Sequence, residues 1–147
     1  MSTIFADKFK NTSGGNNVKV NQLSGIDTAG SILVTGEGNS TTTNLQQGLA
    51  KAWANTSGVG TPAIADSFNM ASVTDLGTGA EKFTFTNAMS NINFSTQALT
   101  DHNTQGVTVQ QVPDYANTTT TSSISTVNVS GTATDTDKSI LIHGDLA

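Results

Sequence analysis

Apolar residues in this chain come in short runs that alternate with threonine, serine and asparagine, and a period of two predicts strands. Residues 67–73 read Ser-Phe-Asn-Met-Ala-Ser-Val. Lys82-Phe83-Thr84-Phe85-Thr86 repeats the alternation with both phenylalanines on one side. Between them, Asp75-Leu76-Gly77-Thr78-Gly79 predicts a hairpin, because glycine tolerates the positive φ of a tight reversal. Further strands are predicted over 31–35, 92–95, 107–112, 123–129 and 139–143, with 135–138 turning between the last two. Leu45, Leu49 and Ala52 or Trp53 fit a helical spacing behind the capping candidates Thr41 to Asn44, but Gly48 weakens it. A short helical turn running into a strand is expected there. The fold class is mainly β, a small antiparallel β-sandwich or meander.

The first thirty residues lack this regularity. Asn11-Thr12-Ser13-Gly14-Gly15-Asn16-Asn17 is a run of turn formers flanked by small apolar groups, Ile4, Phe5 and Phe9 before it and Val18, Val20 and Leu23 after it. Such a stretch cannot bury a core of its own. It predicts an extended amino-terminal arm over 1–30, ahead of a β-rich domain over 31–147.

Composition changes the picture in one respect above all. Hydrophobic residues make up 35% of the 147 residues, against a usual figure of about 45–50% on a count that includes glycine. Leu, Ile, Val and Phe together supply little more than a fifth. A lone chain of this kind is marginal, and without cysteine it has no disulfide to help. Completing the core across subunit interfaces is one remedy, so an obligate homo-oligomer is expected. Six lysines face 11 acids, for a net charge of -5 with no arginine, which argues against a nucleic-acid partner. The opening Met1-Ser2-Thr3-Ile4-Phe5-Ala6-Asp7-Lys8 has charges where a signal peptide needs an apolar run. No stretch approaches the ~18 apolar residues of a membrane span, so membrane insertion is not expected.

Candidate chemistry is sparse. His102 and His143 each have an acid nearby, Asp101 and Asp145, but no Gly-x-Ser-x-Gly elbow surrounds any serine, so no catalytic residue is assigned. Two histidines some forty residues apart have no metal-ligand spacing, and neither metal nor cofactor is expected. Only a threefold axis, which turns one histidine into three, would make His143 a ligand. Gly77-Thr78-Gly79 lacks the Gly-Lys-Ser/Thr ending of a phosphate loop, and turn geometry accounts for it. Trp53 is the only tryptophan. A core or interface anchor is its plainer reading, with a sugar-stacking platform as the rival.

Several segments in order resemble a module of tail-fibre and related virion proteins of tailed bacteriophages, especially phages of aquatic bacteria. They are Asn44-Leu45-Gln46-Gln47-Gly48-Leu49-Ala50-Lys51-Ala52-Trp53, Asp66-Ser67-Phe68-Asn69, Ser72-Val73-Thr74-Asp75 with Gly77-Thr78-Gly79, and Phe83-Thr84-Phe85-Thr86-Asn87-Ala88-Met89. The ending Ile142-His143-Gly144-Asp145-Leu146-Ala147 is similar to the terminus that often follows that module, and the arm is similar to attachment segments. Typical members carry an aromatic where this chain has Thr56.

The resemblance implies a β-rich homotrimer in the phage particle and transfers no catalytic residue. The expected function is a short tail fibre or fibre-like appendage, with a capsid-decorating protein and a carbohydrate-binding module as alternatives. Trp53, Phe68, Phe83, Phe85, Ile140 and Ile142 are the candidates for core and interface, and Ile4, Phe5 and Phe9 for docking into the virion. The expected partners are copies of the chain, other tail or capsid proteins, and a host surface glycan met by Asn- and Thr-rich loops.

Overall fold

The computed structural model describes residues 32–35, 41–101, 107–112 and 115–147. Along them run β1 (Leu33–Thr35), β2 (Thr42–Asn44), the helical turn α1 (Leu45–Gly48), β3 (Ala52–Ser57), β4 (Ala63–Phe68), β5 (Met70–Gly77), β6 (Ala80–Phe85), β7 (Ser95–Asp101), β8 (Val107–Gln111), β9 (Thr121–Asn128) and β10 (Asp137–His143). The described chain is mainly β, and its strand pairings are antiparallel. The expected class is what the alternating pattern delivers. The helical turn before β3 also falls where Leu45 and Leu49 placed it.

β1 and β2 form a two-stranded ribbon, and the other strands form two four-stranded sheets in the orders β4-β3-β10-β7 and β5-β6-β9-β8. This is not a meander: β10 lies between β3 and β7, and β9 between β6 and β8. The predicted 67–73 strand is in fact two. It breaks at Asn69, whose φ of 56° is left-handed, and the chain passes there from β4 on the edge of the first sheet to β5 on the edge of the second. Asparagine is among the few side chains that tolerate this conformation. The Asn69 amide holds the corner, donating to the Lys51 carbonyl at 3.0 Å and the Asn87 carbonyl at 3.1 Å, while its Oδ1 accepts from Asn87 N at 2.7 Å.

Other boundaries also move. Ile92 to Phe94 precede a strand instead of forming one, and β7 carries on to Asp101. The turn after β9 falls at Val129 to Gly131, where Asn128 Oδ1 accepts from the backbone of Ser130 and Thr132, both at 3.0 Å. Asp137 and Lys138, expected in the turn, already belong to β10.

Alternation places Ala52, Ala54 and Thr56 of β3 and Lys138, Ile140 and Ile142 of β10 on the inner face of the first sheet. Glu81, Phe83 and Phe85 of β6 face them from the second. The buried cluster that results comprises Ala52, Ala54, Met70, Phe83, Phe85, Met89, Ile124, Ile140 and Ile142. Phe85 meets Phe94 edge to face at 5.7 Å. Because side chains advance in step along the paired strands, this core has two ends. One is greasy, with Phe85, Ile142 and Ala52, and the other carries Glu81, Lys138 and Thr56.

Candidate functional site

The side chains of the first sheet that point away from the core form the most distinctive surface of the described chain. Register aligns Phe68, Trp53, Leu141 and Gln97 in one row across β4, β3, β10 and β7, and Asp66, Asn55, Ser139 and Leu99 in the next. Phe68 is 51% exposed and Leu99 77%. A shallow apolar groove of about 640 Å³ runs over this face, lined in part by Trp53, Leu141 and Leu99. None of its described lining residues is charged. Ser139 donates to Asn55 Oδ1 at 2.7 Å and so ties down the polar side chains at its floor.

The six residues expected at core and interface divide cleanly. Phe83, Phe85, Ile140 and Ile142 are buried in the core cluster, whereas Trp53 and Phe68 sit opposite each other on the outer face. Ile4, Phe5 and Phe9 lie outside the described residues, as does His102. His143 is the last residue of β10, paired with Ser95 and partly buried. Gly77 and Gly79 both have positive φ, 118° and 75°, and make the β5–β6 turn that the sequence predicts. The reversal is tied to the neighbouring β9 and the segment after it, with Gly79 N donating to Asp135 Oδ1 at 2.5 Å and Thr126 N to Gly79 O at 3.0 Å.

A second feature escaped the sequence reading. Lys138 Nζ lies 2.6 Å from Glu81 Oε1 between the two sheets, with both side chains almost wholly buried. Lys138 also donates to the Thr136 carbonyl at 3.1 Å, and the Thr56 hydroxyl lies 3.4 Å from Glu81 Oε2. Burial pushes the Glu81 carboxyl above its ordinary value, while the Lys138 hydrogen bond and charge and the Thr56 hydroxyl pull it back. Gly58 closes the same corner. A Cβ there would collide with the Thr136 carbonyl oxygen, and Gly58 N donates to Asp137 Oδ1 at 3.0 Å. The signal for this pair was present, since Glu81 is in phase with Phe83 and Phe85, and Lys138 with Ile140 and Ile142. With both groups engaged and shielded, the pair reads as a fixture of the fold, and the outer face as the surface that can meet something else.

Among the described residues no group of three or more His, Cys, Asp or Glu side chains is placed to hold a metal ion, and no helix is long and apolar enough to cross a membrane. Comparison of the chain with protein-family models, with curated proteins and with solved structures finds no match.

Proposed function

We propose that this chain is a bacteriophage virion structural protein, a short homotrimeric tail fibre or fibre-like appendage. Residues 1–30 anchor it to a neighbouring tail or capsid protein, and its work is assembly and adhesion by burial of surface. The observation that carries the reading is the uncovered apolar row of Phe68, Trp53 and Leu141 with Leu99 beside it. An antiparallel sheet with one side in water normally shows polar residues there, and large exposed apolar patches mark interaction sites.

A second copy of the chain is the occupant that fits. The core is short of apolar side chains, and the same strands carry the missing ones on their other side. Four strands of about six residues present a face of roughly 400 Å² at ~4.8 Å between strands and ~3.3 Å per residue. That is half of the ~800 Å² per partner of a standard two-chain contact. Three such sheets facing a common axis give each chain two neighbours. The resemblance of its ordered segments to phage tail-fibre proteins points to the same arrangement.

Sedimentation equilibrium of the full chain tests the reading. Three chain masses are expected, falling to one in the Phe68→Ser/Leu99→Ser double variant; a single chain mass for the unmodified protein at micromolar concentration overturns it. A capsid-decorating protein would need the same arm and the same face, and electron microscopy of the particle separates the two positions.

A further inference from the structure

On the opposite side of the fold from the Asn69 corner, the two sheets end in the edge strands β7 and β8, and a cleft opens between them. It holds about 360 Å³, inside the range of roughly 300–1,000 Å³ typical of small-molecule sites. The pairing of β8 with β9 stops at Gln111 and Ile124, so no β8 residue pairs with Ser122 or Ser123, and the cleft lies over this opening.

Its chemistry is selective. None of the described lining residues is charged, so a phosphate or carboxylate would find no cation to balance it. The Thr96 and Ser122 hydroxyls lie 3.1 Å apart and bridge the two sheets. Each hydroxyl can donate and accept. Asn117 Oδ1 is buried at the cleft with no hydrogen-bond partner. A buried acceptor without a donor is unfavourable and asks for one. A purely apolar ligand would leave that atom orphaned. At one end stands Phe94, fixed by its edge-to-face contact with Phe85 and by Gly144, where even a Cβ would crowd it. Aromatic carbon beside neutral hydroxyls and an amide matches a ligand with an apolar ring face and a rim of hydroxyl groups.

We infer that this cleft is a binding site for a neutral saccharide unit, with Asn117 Oδ1 accepting a hydrogen bond from a sugar hydroxyl. The inference gives the adhesion in the proposed function a ligand class, yet rests on the cleft itself and not on the oligomeric state. Weak single sites become effective when several copies act together.

The test is titration of the isotope-labelled full chain with free neutral mono- and disaccharides (glucose, galactose, mannose, N-acetylglucosamine and their disaccharides), followed by amide NMR. At least one sugar is expected to give saturable shifts at Thr96, Asn117, Ser122 and Ser123 in the millimolar range. Asn117→Ala should weaken that binding at least tenfold with little change in Tm, because the Oδ1 it removes has no partner in the free protein. Ala98→Leu, which grows a side chain into the cleft from β7, should abolish it while the fold persists. The inference is overturned if no neutral sugar shifts these amides, if an acidic sugar is preferred, or if both variants bind as the parent does. A trimer that ignores every sugar sinks the cleft alone, and a single chain that binds one sinks only the assembly.

Discussion

The outer faces of the two sheets are built from the same strand geometry and carry opposite chemistry. On β5-β6-β9, the cross-strand rows read Thr74, Lys82, Ser123 and Ser72, Thr84, Thr121, polar throughout. On β4-β3-β10-β7, the corresponding row reads Phe68, Trp53, Leu141, Gln97. The second sheet follows the ordinary rule of apolar inside and polar outside. The first carries an apolar row on its outer side as well, beside the more polar row of Asp66, Asn55, Ser139 and Leu99, so one side meets the core of its own chain and the other exposes Phe68 and Leu99. Under the proposed assembly, burial inside one chain and burial between chains are separable residue by residue along β3 and β10.

That separation can be broken from either side. The largest effects belong to the interior. Phe83→Ala should cost about 3–5 kcal/mol of folding stability, read as a shift of the urea midpoint. Glu81→Leu should cost a similar ~3–5 kcal/mol by leaving Lys138 charged and unpaired, whereas Glu81→Leu with Lys138→Met should return to within about 1 kcal/mol of the parent or above it. A double variant as unstable as the single one would show that the pair itself, not the stranded charge, is what matters.

Next in size is the joint between the sheets. Asn69→Ala loses the side-chain hydrogen bonds and places an ordinary residue at positive φ, for about 2–3 kcal/mol. Asn69→Gly keeps the backbone conformation and should lose only part of that. Calorimetry on both variants resolves the two contributions, and equal losses would assign the whole effect to the hydrogen bonds.

On the outer face, Phe68→Ser/Leu99→Ser should act on association. The parent Tm should rise with protein concentration, as expected when folding is linked to assembly, and that dependence should vanish in the variant. The smallest effect concerns pH. Because burial raises the Glu81 carboxyl above 4.5, the folded chain holds that proton more tightly than the unfolded one. The group's contribution is complete below the unfolded value and is lost as pH rises through the folded one. The stability difference between the parent and Glu81→Gln should therefore shrink as pH rises above 4.5, and a flat difference would deny the shift.

Much of this architecture is legible in the chain because period-two alternation reports directly which side of a strand is buried. Phe83 and Phe85 are placed in the core by that rule, and Gly77 and Gly79 announce their turn. β7 is not legible. Its inward residues are Thr96, Ala98 and Thr100, too small and polar to stand out from a surface already rich in threonine. The break at Asn69 is hidden for a different reason, since the apolar pattern continues through it while the chain changes sheets. Trp53 and Phe68 read as core or interface anchors, and an aromatic residue alone does not say which; the register places both on the outer face. The cleft at Asn117 lies beyond any linear pattern, being assembled from Phe94, β7, β8 and β9.

The insertion of β10 between β3 and β7 has a consequence for the order of events at birth. The contact between Lys138 and Thr56 joins residues 82 apart in the chain, and folds dominated by such distant pairings form slowly, in milliseconds to seconds. Until β10 has been made, β3 and β7 have no strand between them, and the outer row of Phe68, Trp53 and Leu141 is incomplete. In the trimer proposed above, that order would hold back self-association until β10 has threaded home.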